Sequence, residues 1–220
     1  MALHSAWTEL ELDLNLLAAL IRDFAATKPF LNSPAHFSVR DECLLEGLLS
    51  RIWQAWSRFC RHCVIKSCVG TVDAAGITIP GLPDAITEAH VSGAAIRAKK
   101  QPNPPYWGNP NSQLRSEPTW GDADVLALVL TRLRPANSPK MLAAFSSAHS
   151  RAKAIQVIRN GAAHNHMQNL QEIMMLRSAY SAFPISHPTH AMFWVEPSSN
   201  DFLITHAIDT LKDAAIIAIS

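Results

Sequence analysis

Apolar residues recur at helical spacing along most of the chain. The deepest pattern runs through Leu45, Leu48, Ile52, Trp56, Phe59 and Cys63, a seam about five turns long. Ser38 can cap that helix, with Asp41 or Glu42 in its first turn. An earlier helix is predicted from Thr8 to Ala25, where Leu10, Leu14, Leu17 and Ile21 share a face and Glu9 and Glu11 suit its positive end. Later helices are predicted from Asp84 to Lys99, weakened by Gly93, and from Asp122 to Arg134, stopped by Pro135. Another begins at Ser138-Pro139, where proline is tolerated in the first turn, and the next runs to about Phe183. Pro184 to Pro197 reads as a loop with a short strand at Phe193-Trp194-Val195, and Ser199 or Asn200 caps a last helix. The pattern predicts an all-α, up-and-down, mainly antiparallel bundle of about five to seven helices, with the helix that begins near Ser38 at its centre. It is expected to be one domain over 1–220, with a core at about 38–183 and a C-terminal helix, 199–217, packed on it.

Two stretches break the rhythm. Gly70 to Pro83 is rich in turn residues. Gln101 to Thr119 is the main irregular segment; it carries Tyr106, Trp107 and Arg115 and follows Lys99 and Lys100. Aromatics interleaved with cations can stack bases and touch phosphates. A loop of this length is either a contact surface for substrate or partner, or a structural insertion. Arg51, Arg58 and Arg61 lie off the long seam, where they form a solvated face or contact phosphate.

Composition changes this picture little. Across 220 residues the formal net charge is +1, so no global basic field announces long nucleic acid, although a local basic cleft remains open. No stretch has a signal-peptide pattern or reaches about 18 apolar residues, so a soluble, cytoplasmic chain with no membrane partner is expected. Cys60 and Cys63 could form half a zinc site, or pack as small apolar groups. No second cysteine pair accompanies them, so the expectation is no metal, no cofactor and no structural disulfide.

The concentration of polar chemistry lies at Ile158-Arg159-Asn160-Gly161-Ala162-Ala163-His164-Asn165-His166, with apolar helix on both sides. A cation inside such a segment must pair or face a wet cleft. On an ideal helix Asn160 and His164 share a face, whereas Arg159 and His164 point about 140° apart. Two arrangements would bring Arg and His together. Either the helix breaks at Asn160-Gly161, since Asn is a good N-cap and Gly a weak point, or two copies of the chain face each other. His166, about 200° from His164, reads as a surface residue that could touch nucleic acid. The plainer alternative for the whole motif is a buried polar pair that stabilises the bundle.

Arg-Asn-x3-His in this setting resembles the Arg-x4-His signature of HEPN domains, a large group of helical ribonucleases. Leu44 to Phe59 resembles the long second helix of the RiboL-PSP-type HEPN families. Glu117-Pro118-Thr119-Trp120 and the helix from Asn137 to Phe145 resemble that group's lead-in to its motif. Two positions depart from the pattern. Gly161 stands where an aromatic or large apolar residue is common, and His166 stands where one subtype carries a modified tyrosine. The resemblance implies a metal-independent endoribonuclease with Arg159, Asn160 and His164 as catalytic residues. It also implies RNA as substrate, a homodimer through the motif face, and a toxin or antiphage role held in check by an antitoxin or trigger protein. A non-catalytic HEPN relative that binds nucleotides or a partner is the other reading.

Overall fold

In the computed structural model, residues 3–28, 30–111, 113–164 and 167–220 are described. The first apolar stripe forms helix α1 (Leu3–Ala26), which buries Leu10, Leu14, Leu17 and Ile21 as its spacing requires. Helix α2 (Val39–Val69) opens on a reciprocal cap. The Ser38 amide and hydroxyl donate to Asp41 Oδ2 at 2.7 and 2.8 Å, and the Asp41 amide donates back to the Ser38 hydroxyl. A two-stranded hairpin follows, β1 (Thr71–Val72) paired antiparallel with β2 (Thr78–Ile79). The remaining helices are α3 (Glu88–Lys100), α4 (Ala123–Leu133), α5 (Ser138–Ser147), α6 (His149–Ala163), α7 (Met167–Leu176) and α8 (Leu203–Ile219). The all-α expectation holds, and among the described residues no helix is long and apolar enough to cross a membrane.

The chain divides into two units. The first comprises the residues up to Glu11, Trp56–His149 and Lys212–Ser220; the second comprises Leu12–Ala55 and Ser150–Leu211. In the first, Trp56 stacks on Phe59 and meets Phe145 edge-on, with ring centroids 5.7 and 5.8 Å apart. Its indole N–H donates to the Gly121 carbonyl at 3.2 Å, the partner a buried tryptophan needs. Helix α4 is capped by Asp122, ends on left-handed Arg134 and packs against α3 and α5.

The irregular 101–119 segment is anchored by one carboxylate in the same unit. Glu117 accepts from Arg61 at 2.7 and 2.8 Å, from the Ser92 hydroxyl at 2.7 Å and from the Trp120 indole at 2.7 Å. Asn111 donates to the same Ser92 hydroxyl, so α2, α3, the loop and the approach to α4 meet at this point. Burial raises the pKa of Glu117, but these donors outweigh it and hold the group below the usual carboxylate range. Loop carbonyls take up two further cations: Arg97 donates to Tyr106 and Asn109, and Arg132 to Ala98 and Gln101.

The second unit is built on an aromatic cluster in which Phe193 lies 5.8 Å from Phe24, 5.9 Å from Phe37 and 5.4 Å from Phe202. Three sequence expectations change here. The motif helix does not run to Phe183: α6 ends at Ala163, and Asn169 of α7 donates to the exposed carbonyls of His164 and Asn160 at 2.8 and 3.4 Å. The expected strand at Phe193-Trp194-Val195 is instead the end of a 310 turn (Pro188–Phe193), and Val195 makes only single bridges to Ser181 and Phe202. The last helix starts at Leu203, not after Ser199 or Asn200. Glu196 collects the amides of Ser198 and Ser199, and Asn200 turns left-handed at φ 60°, which delays helix entry.

Removing Glu117 strands a half-buried guanidinium and two other donors, the Ser92 hydroxyl and the Trp120 indole. Glu117→Ala should therefore cost about 3 kcal/mol, the lower end for breaking a buried pair because Arg61 keeps some water. Thermal unfolding followed by circular dichroism should show a fall of roughly 6–12 °C.

Candidate active site

Helix α6 presents Ala154, Ile155, Ile158 and Gly161 to the interior, and that register places Arg159 and Asn160 at the rim, half-buried. The helix runs without a break through Asn160 and Gly161, which removes the first of the two arrangements, a restart at that point. Gly161 packs closely against α7 and the Pro188 turn. A Cβ at this position would stand 2.6 Å from Ile173 Cδ1 and 3.4 Å from Pro188 Cβ. The departure from the HEPN pattern thus has a local cause: α7 and the Pro188 turn occupy the volume a larger side chain would need.

Arg159 faces α2. With Ala162 and Ala163 it lines a cavity of about 40 Å³ whose other wall is Glu46, Leu49 and Ser50. Asn160 accepts from Arg159, Oδ1 to Nη1 at 3.2 Å, and so steadies the guanidinium, not His164. His164 is exposed just beyond the helix end, and its amide donates to the Asn160 carbonyl at 2.9 Å. Arg159 thus lies on the α2 side, whereas His164 stands past the last helical residue and is exposed.

Sequence reasoning missed Glu46, which lines the same cavity as Arg159, and the histidines that meet this face of α2. Glu42 and Glu46, one turn apart on α2, each meet a histidine of the segment around Pro188. His187 Nε2 lies 3.3 Å from Glu46 Oε1, and His190 Nε2 lies 3.4 Å from Glu42 Oε1. His187 caps the 310 turn, its Nδ1 accepting from the Thr189 amide and lying 2.8 Å from the Thr189 hydroxyl. His190 is fully buried against Phe37, with ring centroids 4.2 Å apart, and neither ring nitrogen has a hydrogen-bond partner among the described residues. Burial, then the neighbouring His187, pushes its pKa down to about 4, so it is neutral near pH 7. The one available signal was two glutamates at helical spacing on the edge of an apolar seam.

The other residues named from sequence are dispersed. Arg51, Lys99, Lys100 and Arg115 are exposed on α2, at the end of α3 and in the loop. Tyr106 is buried, its hydroxyl donating to the Pro102 carbonyl at 2.8 Å, which leaves Trp107 to supply an accessible ring. Both line a cleft of about 730 Å³ with Pro102, Pro104, Pro105, Asp84, Thr131, Arg132 and Arg134. His166 lies outside the described residues. Cys60 and Cys63 are fully buried and their thiols are held protonated by desolvation, so they pack as small apolar groups. Among the described residues no group of three or more His, Cys, Asp or Glu side chains is placed to hold a metal ion.

Two expectations about stability follow from this geometry. Gly161→Leu should overpack the contact with Ile173 and Pro188 and cost about 1–3 kcal/mol, read as a lower denaturation midpoint. His190 is neutral in the folded chain below its ordinary value of 6.5, so unfolding takes up a proton there. Its contribution is complete above about pH 6.5 and is lost as pH falls toward about 4; denaturant titrations across that window should show a flatter pH dependence for His190→Phe. Comparison with family models, with curated proteins and with solved structures found no match, so a functional reading of this chain rests on the geometry just described.

Proposed function

We propose that this chain is a HEPN-type endoribonuclease that cleaves RNA through the neighbouring 2′-hydroxyl without a metal. The observation that carries the reading is the end of α6. There a guanidinium held by Asn160 faces a small polar cavity, and an imidazole stands exposed five residues later. Such a reaction needs a base for the hydroxyl, an acid for the leaving oxygen and a fixed cation for the phosphorane. Arg159 supplies the cation, with a planar donor fork suited to phosphate oxygens. His164 serves as acid or base, a role that an accessible ring near neutral pH can fill.

The continuous helix gives the composite site its physical argument. One copy of α6 aims Arg159 and His164 in different directions, whereas a two-fold contact between motif faces would set the His164 of one copy beside the Arg159 of the other. The cleft with Trp107 on its wall and Arg134 at its edge suits an unpaired base and its phosphate, a second contact for the RNA. An enzyme of this kind would endanger its own cell. We therefore infer a cytoplasmic toxin or antiphage effector, restrained by an antitoxin or released by a trigger.

The test uses purified protein with total RNA and tRNA. His164→Ala should lower cleavage about 10²–10⁴-fold, the usual cost of losing a general acid or base. Arg159→Ala should lower it about 10²–10³-fold, with helicity by circular dichroism unchanged in both. RNA bearing 2′-O-methyl at the cleaved position should survive, and a chelator should have no effect. Light scattering should report a dimer at micromolar concentration; a strict monomer with full activity would rule out the composite site.

A further inference from the structure

We propose that Glu46 is the second proton-transfer group of this site, the base that takes the proton of the attacking hydroxyl, and that His187 is its positioning residue; this deepens the ribonuclease reading and rests on it. The cavity between Glu46 and Arg159 is about 40 Å³, more than the roughly 10–15 Å³ that one water needs, so a hydroxyl group fits between the carboxylate and the guanidinium. Leu49, Ala162 and Ala163 give it apolar walls, and Ser50 adds one hydroxyl. A sugar hydroxyl seated there meets a carboxylate that can take its proton and a guanidinium that stabilises the oxyanion left behind.

The nearby histidines are placed for other roles. Nδ1 of His187 is taken up by Thr189 and its Nε2 lies 3.3 Å from Glu46, which places it to orient the carboxylate. Pro188 locks that arrangement by packing on Gly161, which ties the His187 turn to the same helix that carries Arg159. His164 is absent from the cavity wall and exposed, which suits it to the leaving oxygen. The step then balances. The 2′-hydroxyl proton passes to Glu46, the 2′-oxygen bonds to phosphorus, the bond from phosphorus to the 5′-oxygen breaks, and protonated His164 gives that oxygen its proton. The products are a 2′,3′-cyclic phosphate and a 5′-hydroxyl.

An RNA with sulfur in place of the bridging 5′-oxygen separates the two roles, because a thiolate leaves without an acid. On ordinary RNA, Glu46→Gln and His164→Ala should each lose about 10²–10⁴-fold in kcat. On the sulfur substrate His164→Ala should recover most of that loss, while Glu46→Gln stays slow. Glu46→Asp, which keeps a carboxylate, should retain more activity than Glu46→Gln if both are folded by circular dichroism. His187→Asn should lower kcat at unchanged KM, and Glu46→Asp should not restore that loss when combined with it. Rescue of Glu46→Gln, no rescue of His164→Ala, or wild-type cleavage by Glu46→Gln would each overturn the assignment while leaving a ribonuclease in place. A folded wild-type protein that cuts no RNA would overturn the ribonuclease reading itself.

Discussion

A helix that is apolar on more than one face must be covered on each of them, and α2 is such a helix. Leu45, Leu49, Ile52 and Trp56 follow one stripe, but Trp53, Ala55 and Ile65 are buried as well, on other sides of the helix. Its first half enters the core of one unit and its second half the core of the other. Burying side chains of this size contributes about 1.5–3 kcal/mol each before the entropy of ordering them is charged against it. The neighbouring elements are arranged to supply that cover, and polar groups are admitted only at the margins.

Two polar clusters at these margins are satisfied to different degrees. Around Glu117 every acceptor position is met by a donor, and the result ties a proline-rich loop to three helices. A buried charge satisfied in this way is inert: it specifies structure and has no capacity left for a ligand. Around Glu46 the accounting is open. Among the described residues Arg159 reaches only Asn160 and a small cavity, His187 lies 3.3 Å from Glu46, and neutral His190 lies 3.4 Å from Glu42 with no hydrogen-bond partner. Native chains leave few buried polar groups unsatisfied, and those they leave tend to mark function. This contrast directs the functional proposal to the second cluster.

Gly161 shows how a local reading can name the right residue for the wrong reason. Sequence alone makes Asn-Gly a helix terminus, because propensity sees the missing side chain and the capping amide. In the folded chain the same missing side chain is what lets Ile173 and Pro188 approach α6, and the helix continues. That choice has a consequence for the chemistry. A straight α6 keeps Arg159 toward α2 and His164 toward solvent, and so separates the two residues that the motif places side by side in the sequence.

The helical class, the seam of α2, the Ser38 cap and the polar motif at 159–164 were legible in the sequence, because each depends on residues within a few positions of one another. Periodicity and capping are local properties, and so is the oddity of an arginine inside apolar helix. The pairing of Glu46 with His187 joins residues about 140 positions apart, and no spacing rule reaches across that distance. The same holds for Arg61 with Glu117, whose partners are brought together only when α3 and the irregular loop close over α2. Hydrogen bonds and charge contacts depend on distances of a few ångströms in space. Which chemistry the chain contains was therefore written in its residues, but which of those residues meet was decided by how the helices pack.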